Sequence, residues 1–174
     1  MSAQPAASVP ARRTKLAIGV GVVCALSIYL GHGRSFVSLS HDPHEVNCLP
    51  ELHLALLVHH QPGKVERGDY LFWKASSISA LAYVGEDFVL KRVAGVPGDT
   101  LSIRGEQVFI NERLVAEGLE DAVLYKRPAS SFQRTEVIPP DRYFVVGTAR
   151  MSNDSRYWGY LPHASIVGKG YRIY

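Results

Sequence analysis

The sequence predicts a mainly β domain that follows one N-terminal transmembrane helix. Two observations lead to this expectation. After residue 48 the chain is divided into short apolar runs, each bounded by turn residues. Ahead of that region, residues 16–33 contain no formally charged side chain. The 174 residues suit one compact domain with a short appendage.

The predicted strands are short runs rich in apolar, aromatic and β-branched residues. They cover residues 52–58, 69–73, 88–93, 101–104, 107–110, 114–115, 142–146 and 166–174. Gly105 and Glu106 separate two of these runs and predict a hairpin. Gly168 and Gly170 predict a bend or bulge in the last strand. Residues 77–83 are predicted to form one helical turn or a loop.

The N-terminal segment has the charge pattern of a membrane anchor. Arg12, Arg13 and Lys15 precede the apolar stretch 16–33. The stretch is short for a membrane span, which needs ~20 apolar residues, so a cleaved signal peptide and a buried core helix are the alternatives. No small-x-small cleavage site follows it, which favours the anchor. The basic cluster then places the N-terminus in the cytoplasm and the rest of the chain outside.

Four regions follow from this pattern: a cytoplasmic basic tail at 1–15, the anchor at 16–33, a polar linker at 34–47 and a domain at 48–174. The formal net charge is +3, and the basic cluster of the tail accounts for it. The remainder is therefore about neutral, which does not favour nucleic-acid binding. Cys24 lies inside the apolar stretch and Cys48 beyond it, so no disulfide framework is predicted.

Lys91 is a candidate general base. In a strand, Val89, Lys91 and Val93 share one face. If that face meets the core, burial disfavours the charged ammonium, and a neutral amine is a usable base near pH 7. In the alternative register Lys91 faces water and Leu90 faces the core.

Cys48 is a candidate nucleophile, because a thiol attacks a carbonyl once a neighbouring base or positive surroundings activate it. A small buried hydrophobe is the alternative. A thiol protease that uses a nearby histidine as its base is another. His41 and His44 raise a third alternative, a metal site, but no second ligand pair stands at usable spacing, and no metal or cofactor is predicted.

Residues 152–156 read Ser-Asn-Asp-Ser-Arg and are dense in hydrogen-bonding groups. Such a run between strands is commonly a capped turn. In the alternative interpretation, Asp154 and Arg156 form a pair that ties an active-site loop, and a hydroxyl of this run orients a neighbouring lysine.

In order and spacing these segments resemble the type I signal peptidase family. Residues 91–99, KRVAGVPGD, are similar to the lysine box of the family. Residues 152–159, SNDSRYWG, are similar to its C-terminal box, and residues 67–70, RGDY, to the strand box between nucleophile and lysine. The resemblance implies antiparallel β-sheets with the site in an apolar groove at the membrane surface.

The sequence departs from the family pattern at two places. Where the family reads Ser-Met-any-Pro, residues 48–50 read Cys-Leu-Pro, a compressed form similar to the TraF-type branch of conjugative-transfer peptidases, in which serine is usual. Residues 147–150 read Gly-Thr-Ala-Arg in place of Gly-Asp-Asn-Arg. Ser40 still stands three residues before a proline and is the alternative nucleophile.

The resemblance implies a role for each site residue. Cys48 attacks the scissile carbonyl, and Lys91 accepts the thiol proton and later activates the deacylating water or, for a cyclic product, the incoming amine. Ser152 orients the lysine. The remaining supporting residues are Asp154 and Arg156, which form an ion pair, and Arg92, which follows the lysine.

The expected function is a membrane-bound endopeptidase that processes pilin or other exported precursors in a conjugative transfer system. A general type I signal peptidase is one alternative, and an inactive homologue that serves as a binding or assembly factor is another. The expected partners are a precursor protein or propilin, membrane lipid and the mating-pair machinery, without nucleic acid. The expected location is the inner membrane, with a single pass and a periplasmic catalytic domain.

Overall fold

The computed structural model of the chain describes residues 36–41, 48–85 and 87–173. The predicted basic tail and membrane anchor lie outside these residues, as do residues 42–47 of the predicted linker. The chain divides into two units, Met1–Val37 and Ser38–Tyr174, and the described residues belong almost entirely to the second. Within the described ranges, no helix combines the length and the apolar character that a membrane crossing requires.

Two β-sheets form the framework of the described residues. The larger sheet has the order β1-β2-β11-β3-β4-β9-β10, and the smaller has the order β7-β6-β5-β8. The strands are β1 Val37–His41, β2 Leu54–Val58, β3 Tyr70–Lys74, β4 Phe88–Gly95, β5 Thr100–Arg104, β6 Gln107–Ile110, β7 Arg113–Glu117, β8 Arg134–Val137, β9 Arg142–Val146, β10 Leu161–Pro162 and β11 Gly168–Arg172. From β2 to β11, neighbouring strands pair antiparallel.

Helical structure in the described residues is short. One α-helix, α1, spans Ser155–Trp158. The 3-10 helical turns are Ala75–Ser77, Ser79–Val84, Glu120–Tyr125, Ala129–Phe132 and His163–Ser165. Residues 77–83, predicted as a helical turn or a loop, overlap two of these turns, and α1 begins inside the run that was interpreted as a capped turn.

The mainly β prediction is confirmed, and each predicted run overlaps a strand. Three strands of the described ranges were not predicted. Val37–His41 forms β1 within the predicted linker, and it pairs at the edge of the larger sheet. Arg134–Val137 forms β8, an edge strand whose residues are mostly exposed. It lacks the apolar alternation of a predicted strand because an edge strand that faces water does not need it. Leu161–Pro162 is only two residues long.

Apolar side chains of both sheets meet in one hydrophobic cluster. The smaller sheet contributes Leu101, Ile103 and Val108, and the larger sheet contributes Phe144 and Val146. Each of these side chains is at most 2% exposed. Burial of a side chain of this size contributes about 1.5–3 kcal/mol, so this cluster holds the two sheets together.

The other face of the larger sheet carries a second cluster. It contains Leu71, Trp73, Val93 and Val145, which alternate along their strands with residues of the opposite face. Lys91 shares this face because it lies two residues before Val93 on β4. The structure therefore shows the register in which Lys91 faces the core, with only 3% of the residue exposed.

Strand β4 is paired unequally along its two edges. One edge pairs with β3 from Phe88 to Arg92. The other edge pairs with β9 only from Arg92 onward. Among the described residues, residues 88–91 consequently present one edge without a partner strand, and this open edge ends at Lys91.

Candidate active site

Lys91 and Ser152 form a buried pair. Lys91 Nζ donates a hydrogen bond to Ser152 Oγ over 2.9 Å. Lys91 is 3% exposed and Ser152 1%. No carboxylate of the described residues lies within ion-pair distance of Lys91 Nζ. The Ser152 hydroxyl thereby fixes the position of the Lys91 amine inside the protein.

Gly147 brings the main chain of Cys48 next to this pair. A Cβ atom at Gly147 would lie 2.6 Å from the carbonyl oxygen of Cys48 and would also collide with Ser152 Oγ. Both oxygen atoms therefore lie against the same side of Gly147, and only glycine leaves room for them. Ala149 N donates to the Cys48 carbonyl oxygen over 3.2 Å and fixes the position of the segment.

Glu51 anchors the residues that follow Cys48. Thr148 Oγ1 donates to Glu51 Oε2 over 2.6 Å, and Tyr70 OH donates to Glu51 Oε1 over 3.3 Å. Thr148 stands where the family usually carries aspartate, and its hydroxyl donates a bond that a carboxylate could not. The sequence analysis missed Glu51. The available signal was a carboxylate between the apolar residues Leu49 and Leu52, both buried here.

The buried side chain of Arg156 supports the loop around Ser152. Its side chain is fully buried, and its Nε and Nη2 atoms each lie 2.8 Å from a carboxylate oxygen of Asp154. Burial opposes the charge, but the bonds with Asp154 outweigh it and raise the pKa of Arg156. The guanidinium also donates to main-chain carbonyl oxygens of Glu117, Gly118, Ala149, Arg150 and Ser152.

Asp154 connects this buried charge to the rest of the site. Its carboxylate accepts a hydrogen bond from Gly147 N over 2.9 Å. It also caps helix α1, because Arg156 N donates to Asp154 Oδ1 over 3.1 Å. The position of Gly147, against which Cys48 and Ser152 pack, thus depends on the Asp154–Arg156 pair.

We expect Asp154→Asn to lower the free energy of unfolding by about 3–5 kcal/mol, since it leaves a buried guanidinium without its counter-charge. Turnover should fall with stability, because Gly147 and Ser152 lose their support. Urea unfolding and a cleavage assay on the same sample measure both. Glu112→Gln, which breaks the exposed Arg104–Glu112 pair, is the matched control and should cost about 1 kcal/mol or less. Lost turnover with unchanged unfolding would contradict a supporting role.

Asn153 ties the loop to two tyrosines. Tyr125 OH donates to Asn153 Oδ1 over 2.6 Å, and Asn153 Nδ2 donates to Tyr83 OH over 3.1 Å. Burial raises the pKa of Tyr125 to about 12, so the phenol stays a donor at neutral pH. The sequence analysis missed this bridge, because its members come from segments far apart in the chain.

Two sequence-predicted residues do not join the site. Ser40 lies on β1, and three strands separate β1 from β4, which corresponds to roughly 19 Å at ~4.8 Å per strand. Ser40 therefore does not lie near Lys91. Arg92 follows Lys91 on β4 and pairs with Val146, so its side chain is on the opposite face of the sheet. His44, considered as a metal ligand, and Cys24 lie outside the described residues.

Comparisons with known proteins identify a family and several relatives of this chain. Residues 13–174 match the family described as signal peptidase, peptidase S26. The chain is 31% identical to signal peptidase I of Leptolyngbya laminosa over 177 residues, which cover 96% of this chain and 83% of that protein. It is 26% identical to probable signal peptidase I-2 of Synechocystis sp. over 169 residues, which cover 93% and 74%.

A crystal structure of signal peptidase I from Enterococcus faecalis covers 61% of this chain and 96% of that chain, with 26% identity and a TM-score of 0.39. The two relatives matched by sequence are named as signal peptidases, so they lend no support to the TraF-type branch in particular. The family match spans nearly the whole chain, including the boxes around Lys91 and Ser152. The chain belongs to the signal peptidase family, peptidase S26.

Proposed function

We propose that this protein is a type I signal peptidase that cleaves signal peptides from exported precursor proteins, with Cys48 as nucleophile and Lys91 as base. The observation that carries the proposal is the buried contact of 2.9 Å between Lys91 Nζ and Ser152 Oγ beside the main chain of Cys48. A lysine without a carboxylate partner, oriented by a hydroxyl, is suited to accept and return protons.

The reaction uses these groups in two half-reactions. The amine of Lys91 takes the thiol proton of Cys48, and the thiolate attacks the scissile carbonyl carbon to form a C–S bond. The main-chain N–H of Cys48 donates to the developing oxyanion. The C–N bond then breaks, and Lys91 returns the proton to the leaving amine. In the second half, Lys91 deprotonates water, which attacks the thioester and releases the thiol.

The open edge of β4 supports an extended substrate. Residues 88–91 lack a partner strand on the β9 side within the described residues, so a peptide can add there as a strand that ends beside Lys91. Phe88, the first residue of β4, is 46% exposed, so the start of this edge carries an accessible apolar side chain. An apolar signal peptide with small residues near the cut suits such an edge.

A membrane location completes the proposal. Signal peptidase substrates emerge from a membrane with their signal peptides still attached. An anchor at 16–33 preceded by Arg12, Arg13 and Lys15 would hold the domain outside the cytoplasm, at the surface where these substrates arrive.

Pilin processing in a conjugative transfer system is the second candidate function. One observation favours it, the compressed segment Cys48-Leu49-Pro50 in place of the four-residue box of the family. In that case the N-terminal amine of the cut pilin, rather than water, attacks the thioester, and the product is cyclic.

To distinguish the two candidate functions, the full chain in neutral detergent is incubated with a signal-peptide-bearing precursor and separately with a propilin. Mass spectrometry then identifies the products. We expect one cut in the precursor after a small residue, and cleavage slower by about 10²–10⁴-fold with the Lys91→Met chain. A propilin product lighter by one water than its linear form, with an uncut precursor, would select the second candidate. Binding of the precursor without cleavage would leave only the inactive homologue.

A further inference from the structure

A cavity of about 510 Å³ lies on the side of the domain to which Arg92 points. Three arginines line it, namely Arg67 ahead of β3, Arg92 on β4 and Arg113 on β7, and none of its lining residues is acidic. Its volume falls within the range of ~300–1,000 Å³ that is typical of small-ligand sites. Three segments of the chain thus each contribute one positively charged residue to the cavity.

Within the part of the chain that the structure describes, one of the three charges is compensated and the other two are not. Arg67 Nε donates to Asp99 Oδ2 over 2.8 Å, and Arg67 Nη2 contacts the other carboxylate oxygen. Asp99 also accepts from Val96 N and from Asn111 Nδ2, at 2.9 and 2.8 Å. Its hydrogen-bonding capacity is thereby occupied, and it holds Arg67 at the cavity rather than neutralising the other two arginines.

Arg92 and Arg113 form no ion pair with any described residue. The Nε atom of Arg92 is buried and has no hydrogen-bond partner in the structure. A buried donor without an acceptor is costly, and so are like charges that share a cavity. An oxyanion bound between these two guanidinium groups would remove both costs.

We infer that this cavity binds a phosphate group, carried by the headgroup of an anionic phospholipid or free in solution. A phosphate offers three oxygen atoms and up to two negative charges, which matches the fork-shaped donors of several arginines better than a single carboxylate does. The cavity exceeds the size of a bare phosphate and leaves room for an attached group. Leu114, 43% exposed, also lines it and provides an apolar contact for that group.

The site is separate from the peptidase chemistry proposed above. Arg92 and Lys91 are neighbours on β4, but their side chains lie on opposite faces of the sheet. Binding can therefore be measured on the full chain without reference to cleavage, and its failure would leave the proposed activity standing.

The test compares the melting temperature of the full chain in neutral detergent as inorganic phosphate replaces chloride at constant ionic strength. We expect saturable stabilisation by phosphate. Arg92→Gln together with Arg113→Gln should weaken binding by about tenfold or more, because each removes a charge-assisted hydrogen bond. Arg142→Gln removes the same charge from an exposed position outside the cavity and should bind phosphate as the unmodified chain does. Arg113 is exposed, so the single Arg113→Gln variant keeps the test valid if the double variant does not fold.

Nanodiscs of phosphatidylcholine with and without phosphatidylglycerol distinguish a lipid headgroup from free phosphate as the ligand. Stabilisation by phosphatidylglycerol that depends on Arg92 and Arg113 identifies a lipid headgroup, and stabilisation by inorganic phosphate alone identifies a soluble ligand. Absence of saturable stabilisation by either probe overturns the inference. Equal stabilisation of the double variant, or equal stabilisation by glutamate and by phosphate, overturns it as well.

Discussion

Cys48→Ala is expected to lower the rate of precursor cleavage by about a million-fold, the size of effect seen when a peptidase loses its nucleophile. No other described cysteine is present to replace it. Cleavage of a signal-peptide-bearing precursor by the full chain, followed by mass spectrometry, measures the loss. An active Cys48→Ala enzyme would remove Cys48 from the mechanism.

Two further variants and one reagent make that result specific. Cys48→Ser should keep measurable activity, because the same amine can activate a hydroxyl. Ser40→Ala should be near normal, since three strands separate β1 from β4. An alkylating reagent should block the unmodified enzyme, and it should react more slowly with Lys91 variants if the lysine helps to form the thiolate. An unmodified chain that cleaves nothing, beside an active Cys48→Ser chain, would show that cysteine disables the site.

Lys91→Met is expected to lower cleavage by about 10²–10⁴-fold while the domain stays folded. The unbranched apolar side chain of methionine is similar in length to that of lysine, and the site is buried, so the packing around Leu71 and Val93 should persist. Unfolding in urea checks the fold, and the precursor assay checks the activity.

Lys91→Arg should also be inactive, since a guanidinium does not lose its proton at working pH. Lys64→Met is the matched control, because Lys64 is exposed and pairs only with the exposed Glu66. It should cleave at the normal rate. Full activity of either Lys91 variant would exclude the lysine as the base.

Much of the fold could be predicted because local pattern determines it. The strands at 107–110 and 142–146 match their predicted bounds residue for residue, since turn residues delimit each run. Strand β8 was missed because Arg134–Val137 is polar and lies at a sheet edge. Its pairing depends on β5, and nothing in its own pattern indicates a strand.

Some residues of the site could likewise be predicted from local sequence patterns, and others could not. The alternation of Val89, Lys91 and Val93 indicated a buried lysine as one of two registers, and the resemblance pointed to Ser152. The bond between Thr148 and Glu51 joins residues 97 positions apart, so no local signal marks it. The face to which Arg92 points was likewise missed, because adjacency in sequence to Lys91 suggested a shared role.

The carbonyl contacts of Arg156 have a consequence for the cooperativity of unfolding. One guanidinium binds the end of β7 through Glu117 and Gly118, and the loop ahead of helix α1 through Ala149 and Ser152. If the loop detached, the buried guanidinium of Arg156 would lose its hydrogen-bond partners. Opening of the loop should therefore require most of the free energy of global unfolding. Amide protons around Gly147 should therefore exchange as slowly as those of the central strands. We therefore expect the loop around Ser152 to belong to the most slowly exchanging part of the domain, so that the proposed substrate would reach it along the exposed edge of β4 rather than through a loop that opens.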